Sequence, residues 1–209
     1  MLAGQFITLE GGEGTGKSTL IAGLANALRA RGISCIVTRE PGGTPLAEHV
    51  RDLALNPPDG ESWSPLAQAL LMNAAREDHL ERQIRPALRA GRWVLCDRFA
   101  DSTRAYQSID GVAMSTLLAF ERAVVGETKP DMTLILDGDP ELLLQRRALR
   151  GTSDAFEAKD MAFHVHVRET FLSIARNEPE RCAVVNALQS VESVLGDAVK
   201  TIEQRIGLP

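Results

Sequence analysis

The 209-residue chain is short of several things that would send it elsewhere. It has three cysteines, Cys35, Cys96 and Cys182, far apart in the short β-like runs "SCIVT", "VLCD" and "CAVV" and with no CxxC pair. Buried, reduced thiols in a sheet are the expectation, since a disulfide framework belongs to a smaller size class. No stretch approaches the roughly 18 apolar residues that a membrane span needs. The N-terminus lacks a basic segment followed by an apolar core, so a soluble cytoplasmic chain with no membrane partner is expected. Positive charge is not in excess: 23 Lys and Arg against 28 Asp and Glu leave a net charge of -5. That balance argues against bulk electrostatic binding to nucleic acid or to an anionic membrane. Internal repeats, low-complexity tracts and long linkers are absent as well. The length suits one α/β domain able to bury its own core, and a single domain over residues 1–209 is expected.

What the chain does have is alternation. "FITLE" (Phe6–Glu10), "ISCIVT" (Ile33–Thr38), "WVLCD", "MTLILD" and "CAVVN" read as strands, with Gly32 as the helix stop before the second. Between them lie helix-like runs, with Leu20, Leu24 and Leu28 at helical spacing and a short helix carrying Leu46, Val50 and Leu53. A long helix is expected from about Pro65 to Ala90, ended by Gly91. Its stripe of Leu66, Leu70 and Ala74 reads as core-facing, advancing about 40° every four residues. Met72 and Arg76 lie roughly 200° around from that stripe, so they and His79 are expected on a cleft. Such alternation implies a parallel sheet with helices on both faces and ligands at the carboxyl ends of the strands.

The first strand runs straight into "GGEGTGKST": Gly11, Gly12, Glu13, Gly14, Thr15, Gly16, Lys17, Ser18 and Thr19. Gly-x-x-x-x-Gly-Lys-Ser between a strand and an amphipathic helix is the P-loop pattern. Its glycines let backbone N–H groups turn inward around phosphate oxygens, and the helix N-terminus adds partial positive charge. Lys17 is expected on the terminal phosphates of ATP, and the Ser18 hydroxyl on Mg²⁺. With the five strands, this predicts an α/β three-layer sandwich of the P-loop NTPase type around a central five-stranded parallel sheet. A dinucleotide fingerprint starting at Gly12 fails because it needs glycine where Lys17 stands. "TKPD" (Thr128 to Asp131) imitates a guanine-reading motif, but it precedes a strand instead of following one, and no D-x-x-G switch occurs. Two strands end in aspartate. Asp97 is followed at once by Arg98 and is the candidate metal-side carboxylate; Asp137 leads into "GDPE" and reads as structural.

Arginines gather as anion-holding candidates: Arg39, Arg51, Arg76, Arg98 and Arg104, then Arg146, Arg147 and Arg150. At this point the chain resembles the bacterial thymidylate kinases almost end to end. The segments that carry the likeness are "FITLEGGEGTGKST", "TREPGGTPLAEHVR", "LLMNAAREDH", "LCDRFADSTRAYQ", "KPDMTLILD" and "RRALRG", in order and spacing. The resemblance implies Mg·ATP as phosphoryl donor, dTMP as acceptor, dTDP and ADP as products, and a homodimer built by helix packing. It also implies that Arg51 and Arg98 hold the acceptor phosphate and that Arg76 and Gln107 hydrogen-bond the thymine edge. Thr103 and Tyr106 would line the deoxynucleoside pocket, and Glu13 would lie near the sugar and acceptor phosphate.

Such a transfer needs no strong general base, because the accepting phosphate oxygen is already ionised at neutral pH; alignment and charge neutralisation do the work. The histidines fit no base pair of this kind, and His164 and His166, two residues apart, are expected to be solvated. Some family members carry a basic residue where this chain has Gly14, so the missing cation is expected from Arg146, Arg147 and Arg150 in a lid around residues 146–158. Two positions depart from the family pattern: Ala155 replaces a common lid arginine, and Met72 replaces the phenylalanine that stacks on thymine. The altered base pocket leaves open a kinase of another nucleoside monophosphate. The altered lid leaves open a nucleotide-binding protein without transfer activity.

Overall fold

In the computed structural model, which describes residues 4–148 and 159–208, five strands are nearly continuous apolar runs and form one parallel sheet. They are β1 (Phe6–Glu10), β2 (Cys35–Arg39), β3 (Trp93–Asp97), β4 (Met132–Asp137) and β5 (Cys182–Asn186), in the spatial order β2-β3-β1-β4-β5. β1 is central, pairing Ile7 with Leu95 on one side and with Met132 on the other. Because side chains alternate along it, Ile7 and Leu9 enter the core under α1 (Lys17–Ala30) and α9 (Val191–Ile206), while Phe6 enters the core on the opposite face. The opposite layer contains α5 (Ala100–Ile109) and α8 (Met161–Asn177), whose Tyr106, Phe163, Val167 and Phe171 pack together. The three layers are those expected. The three cysteines are buried free thiols, and among the described residues no helix is long and apolar enough to cross a membrane.

Three sequence expectations need correction. The second strand begins at Cys35, two residues later than expected, because the Ile33 N–H is taken by the Leu28 carbonyl in the turn that ends α1, with Gly32 at φ 77°. The long helix is three pieces: α3 (Pro65–His79), a π-helical turn over Leu80–Ile84, and α4 (Arg85–Arg89). In the wide turn the Arg85 N–H reaches back to the Leu80 carbonyl, a register that tolerates Pro86, which has no N–H to give. The third correction concerns facing. Leu66, Leu70 and Ala74 are exposed, as are Leu46 and Leu53 on α2 (Pro45–Leu55). The buried face of α3 is Ala69, Met72, Asn73, Ala75, Arg76 and His79, with Ala69 against Val112 and Leu117, the latter on α6 (Met114–Val124). The expected lid falls, from residue 149 to 158, outside the described residues; α7 (Pro140–Ala148) leads up to it.

At the carboxyl edge of the sheet, Glu10 ends β1 fully buried. Its Oε1 accepts the N–H of Phe99 at 2.7 Å and of Ser102 at 3.3 Å, and its Oε2 accepts the Ser102 hydroxyl at 2.6 Å. The carboxylate therefore caps α5 from below and braces the β3–α5 connection, where Arg98 sits at φ 68°, the one non-glycine residue with positive φ among those described. Burial, and then the charge of Asp101, push the Glu10 carboxyl up to about 7, against the pull of its hydrogen bonds. A raised folded-state value means that the folded chain holds a proton which the unfolded chain has lost. The stabilisation is complete below the unfolded value of 4.5 and disappears as pH rises through about 7. Between these values, wild-type stability relative to Glu10→Gln is expected to fall by about 1 kcal/mol per pH unit. Denaturant titrations of both proteins from pH 5 to pH 8 check this; parallel pH profiles would remove the buried proton.

Candidate active site

The loop from Gly11 to Gly16 joins central β1 to α1 and therefore lies in the middle of the sheet's carboxyl edge. Close packing shapes it. Gly11 has φ 140°, and a Cβ there would stand 2.5 Å from the Leu136 carbonyl oxygen. Gly14 has φ 75°, and a Cβ there would stand 2.4 Å from the Leu143 carbonyl oxygen of α7. No side chain, basic or otherwise, fits at residue 14 unless α7 moves, which is the physical reason this loop carries no cation of its own there.

Lys17 is buried at the start of α1, its Nζ donating to the carbonyls of Gly11 at 3.0 Å and Gly12 at 2.9 Å and to Thr15 Oγ1 at 3.3 Å. The Thr15 hydroxyl donates to Gly12 O. Burial, and then repulsion from Arg98, lower the Lys17 ammonium to about 8, with Glu13, Asp97 and Glu10 opposing the change. Ser18 and Thr19 are exposed on the first turn of the helix, and the Ser18 hydroxyl donates to Asp97 Oδ2 at 3.1 Å. One hydroxyl and one carboxylate beside a phosphate loop fit Mg²⁺, a hard ion that takes few protein oxygens and completes its shell with phosphate and water. Among the described residues there is no larger cluster of His, Cys, Asp and Glu. Asp137 is instead held by Arg168 through contacts of 2.7 and 3.0 Å.

Beside the loop opens a cleft of about 480 Å³. Arg98 closes the end nearest the loop. Its Nη2 donates to Glu13 Oε1 at 2.6 Å, its Nη1 to the Gly11 carbonyl at 3.1 Å and Ser102 Oγ at 3.2 Å, and its guanidinium carbon stands 5.0 Å from the Tyr106 ring centroid. Burial opposes its charge, but Tyr106, Glu13, Glu10 and Asp97 outweigh that and hold Arg98 protonated. The Tyr106 hydroxyl also donates to Glu13 Oε1, at 3.0 Å. Arg51, from α2, donates to the Pro41 carbonyl at 2.8 Å. Burial, and then the neighbouring cations Arg39 and Arg98, press the Arg51 guanidinium below its usual value. Further in, Met72, Arg76, Thr103 and Gln107 line the cleft with Leu55 and Phe99.

The sequence-derived candidates thus divide. Gly11 to Lys17, Asp97 and Arg98 come together at the loop; Met72, Arg76, Thr103, Tyr106 and Gln107 come together in the cleft, with Glu13 between the two groups. Arg39 is exposed and paired with Glu48, and Arg104 sits in a separate network with Asp101 and Glu178, so neither belongs to the anion site. His79 is fully buried behind the cleft wall, not on it. His164 is buried too, contrary to expectation, with no hydrogen-bond partner for its Nε2 among the described residues, while His166 is exposed. Arg146 donates to the Ala187 and Leu188 carbonyls after β5. The Arg147 side chain, Arg150 and Ala155 lie outside the described residues. Sequence reading missed Glu40, Leu55 and Phe99; Glu40 lies within "TREPGG" and Phe99 within "CDRF", while Leu55 carried no signal of its own.

Residues 9–198 match the sequence model of thymidylate kinase. The thymidylate kinase of Caulobacter vibrioides is 51% identical over the whole of both chains. That of Bradyrhizobium diazoefficiens is 48% identical, over 97% of this chain and 90% of its own. The chain belongs to the thymidylate kinase family. Its fold likewise superposes on the crystal structure of thymidylate kinase from Ehrlichia chaffeensis, with a TM-score of 0.79, 32% identity and coverage of 96% and 99% of the two chains. Burial brings the phosphate-loop lysine of this thymidylate kinase family member down to about 8. Lys17 is charged below about 8 and loses its proton above it, so affinity for a nucleoside triphosphate is expected to fall as pH rises through that value. Calorimetric titration with ATP from pH 7 to pH 9.5 reads this, and an affinity that stays flat to pH 9.5 contradicts it.

Proposed function

We propose that the chain is an ATP-dependent dTMP kinase working in the cytoplasm as a homodimer. One observation supports the reading above others: Arg98 donates both to the Gly11 carbonyl of the phosphate loop and to Glu13 on the cleft wall, so the donor and acceptor sites share a cation. A phosphate oxygen of dTMP would form the new bond to the γ-phosphorus as the bond to the ADP oxygen breaks, and no proton need be removed. Lys17, Arg98 and Arg51 neutralise the phosphates and align them. Mg²⁺, held by Ser18 and Asp97, would neutralise charge on the ATP phosphate oxygens. Arg146, Arg147 and Arg150 are assigned the positive charge that Gly14 cannot carry. Arg76 and Gln107 face the base edge, Thr103 and Tyr106 the sugar side, and Met72 the base face.

Release of ADP, measured over a panel of nucleoside monophosphates, tests the assignment: dTMP is expected to be the preferred acceptor, and a different preferred acceptor or none would overturn it. Met72 sharpens the test. A base on an aromatic ring gains roughly 1–3 kcal/mol, whereas thioether contacts with π-systems are worth about 0.3–1.5 kcal/mol. The difference of about 1 kcal/mol is about fivefold in affinity. Met72→Phe is therefore expected to lower the KM for dTMP several-fold and to sharpen preference over dUMP, with kcat little changed. A raised KM would mean that another side chain already covers the base.

The homodimer is assigned to the outer faces of α2 and α3, two helices packed on each other that leave Leu46, Leu53, Leu66 and Leu70 exposed. An apolar helical face of this kind suits an isologous contact with a second copy. Sedimentation should give a dimer for the wild type and a monomer for Leu66→Glu/Leu70→Glu; a variant that stays dimeric moves the interface elsewhere.

A further inference from the structure

At the base end of the cleft, which Glu40 and Arg76 help to line, a buried polar chain runs back from the wall, and the transfer itself does not use it. Glu40 follows β2, its N–H bonded to the Asp97 carbonyl at 2.9 Å. Both of its carboxylate oxygens are engaged. Oε2 accepts Arg76 Nε–H at 2.7 Å, and Oε1 accepts from His79 Nδ1 at 3.0 Å. The other ring nitrogen of His79 is 2.7 Å from Thr38 Oγ1. A Cβ on Gly43 would stand 2.4 Å from His79 Nε2 and 2.6 Å from the Thr38 hydroxyl, so the chain is closed off from that side. Glu40, Arg76 and His79 are 4%, 3% and 0% exposed.

Arg76 is held at every edge. Besides Nε on Glu40, its Nη1 donates to Asn73 Oδ1 at 3.2 Å and its Nη2 to Thr103 Oγ1 at 3.0 Å, with the guanidinium 5.2 Å from the Phe99 ring centroid. Asn73 is itself oriented, because its amide nitrogen donates to the Ala69 carbonyl at 2.8 Å. Among the described residues, three of the five guanidinium N–H bonds are engaged, which leaves two. A buried ion pair is a poor source of stability, since desolvation offsets the attraction. What a fully engaged pair does supply is a fixed plane and a fixed direction for the donors that remain.

We infer that Glu40, backed by His79 and Thr38, is a positioning residue for base selection: it locks the Arg76 guanidinium so that the wall offers N–H donors, and no carboxylate oxygen, to the base. This rests on the reading of Arg76 as the base-edge residue. A pyrimidine with a carbonyl at C4 accepts from such a wall. A 4-aminopyrimidine sets N–H against N–H and leaves buried donors unpaired, the situation that binding sites reject most strongly. If Glu40 lost its charge, the guanidinium would be free to turn and the carbonyl-over-amino preference would narrow.

The experiment is a double-mutant cycle on the full-length chain. Glu40→Gln, Arg76→Ala and the double variant are compared for kcat and KM with dTMP, dCMP and ATP. Glu40→Gln alone is expected to lower kcat/KM for dTMP about tenfold, chiefly through KM. It should narrow the dTMP-over-dCMP ratio and leave the KM for ATP unchanged. In the Arg76→Ala background the same change should add nothing, since Glu40 acts through Arg76. Equal losses toward dTMP and ATP, or effects that simply add, would show a structural role and overturn the inference. If Arg76→Ala itself leaves dTMP use and base preference untouched, the base-edge reading fails, a result distinct from additivity, and the inference falls with it. Should Glu40→Gln not fold, Glu40→Asp enters the same cycle, its stem one methylene too short to hold Arg76 and His79 together.

Discussion

Arg98 is the contact on which the site hangs. It leaves the end of β3 in a backbone conformation that non-glycine residues avoid, and such strain persists only where the surroundings over-determine it. Here they do. Glu10 takes the N–H groups of Phe99 and Ser102 from beneath, and Glu13, Ser102 and the Gly11 carbonyl take the guanidinium from above. Unpaired, a cation this deep would cost several kcal/mol. The phosphate loop, the start of α5 and Tyr106 are consequently parts of one electrostatic unit, and movement of any of them is felt by the other two.

The phosphate loop is crowded on its other side as well. The loop backbone runs against the Leu136 carbonyl at Gly11 and the Leu143 carbonyl at Gly14, and there is no room for a side chain at either position. A loop packed this tightly has no place for a cation of its own at residue 14, which is why the proposed function looks to another element for one.

The strands, the P-loop and the α1 stripe were legible because their signals are local: apolar runs, glycine spacing and helical period. The facing of α3 was not. Periodicity marks an apolar stripe but not what covers it, and Leu66 and Leu70 face outward while Ala69 makes the close contact inside. The same limit applies to α2, where Ala47 and Ala54 are buried and Leu46 and Leu53 are not. Glu40 and His79 were illegible for another reason. Their partners lie 36 to 41 residues away in the chain, and a lone charged residue carries no mark of a partner that only folding brings near. Gly14 lay between these cases: the missing cation could be read from the sequence, but the carbonyl that forbids it could not.

The cations of the site are set against one another. Burial and then Arg98 lower Lys17, burial and then Arg39 and Arg98 lower Arg51, and Glu13 pairs with Arg98 at 2.6 Å. Mutual repulsion in a partly desolvated cleft is energy held in the protein before any anion arrives. On the proposed assignment, a doubly charged phosphate beside them would relieve it and raise the proton affinity of Lys17 and Arg51, while a neutral nucleoside would relieve nothing. Preference for a monophosphate over the bare nucleoside would then draw on this crowding of like charges as well as on the contacts themselves. It requires the charges to stay crowded, which is what the Pro41 carbonyl on Arg51 and the Gly11 carbonyl on Arg98 and Lys17 accomplish.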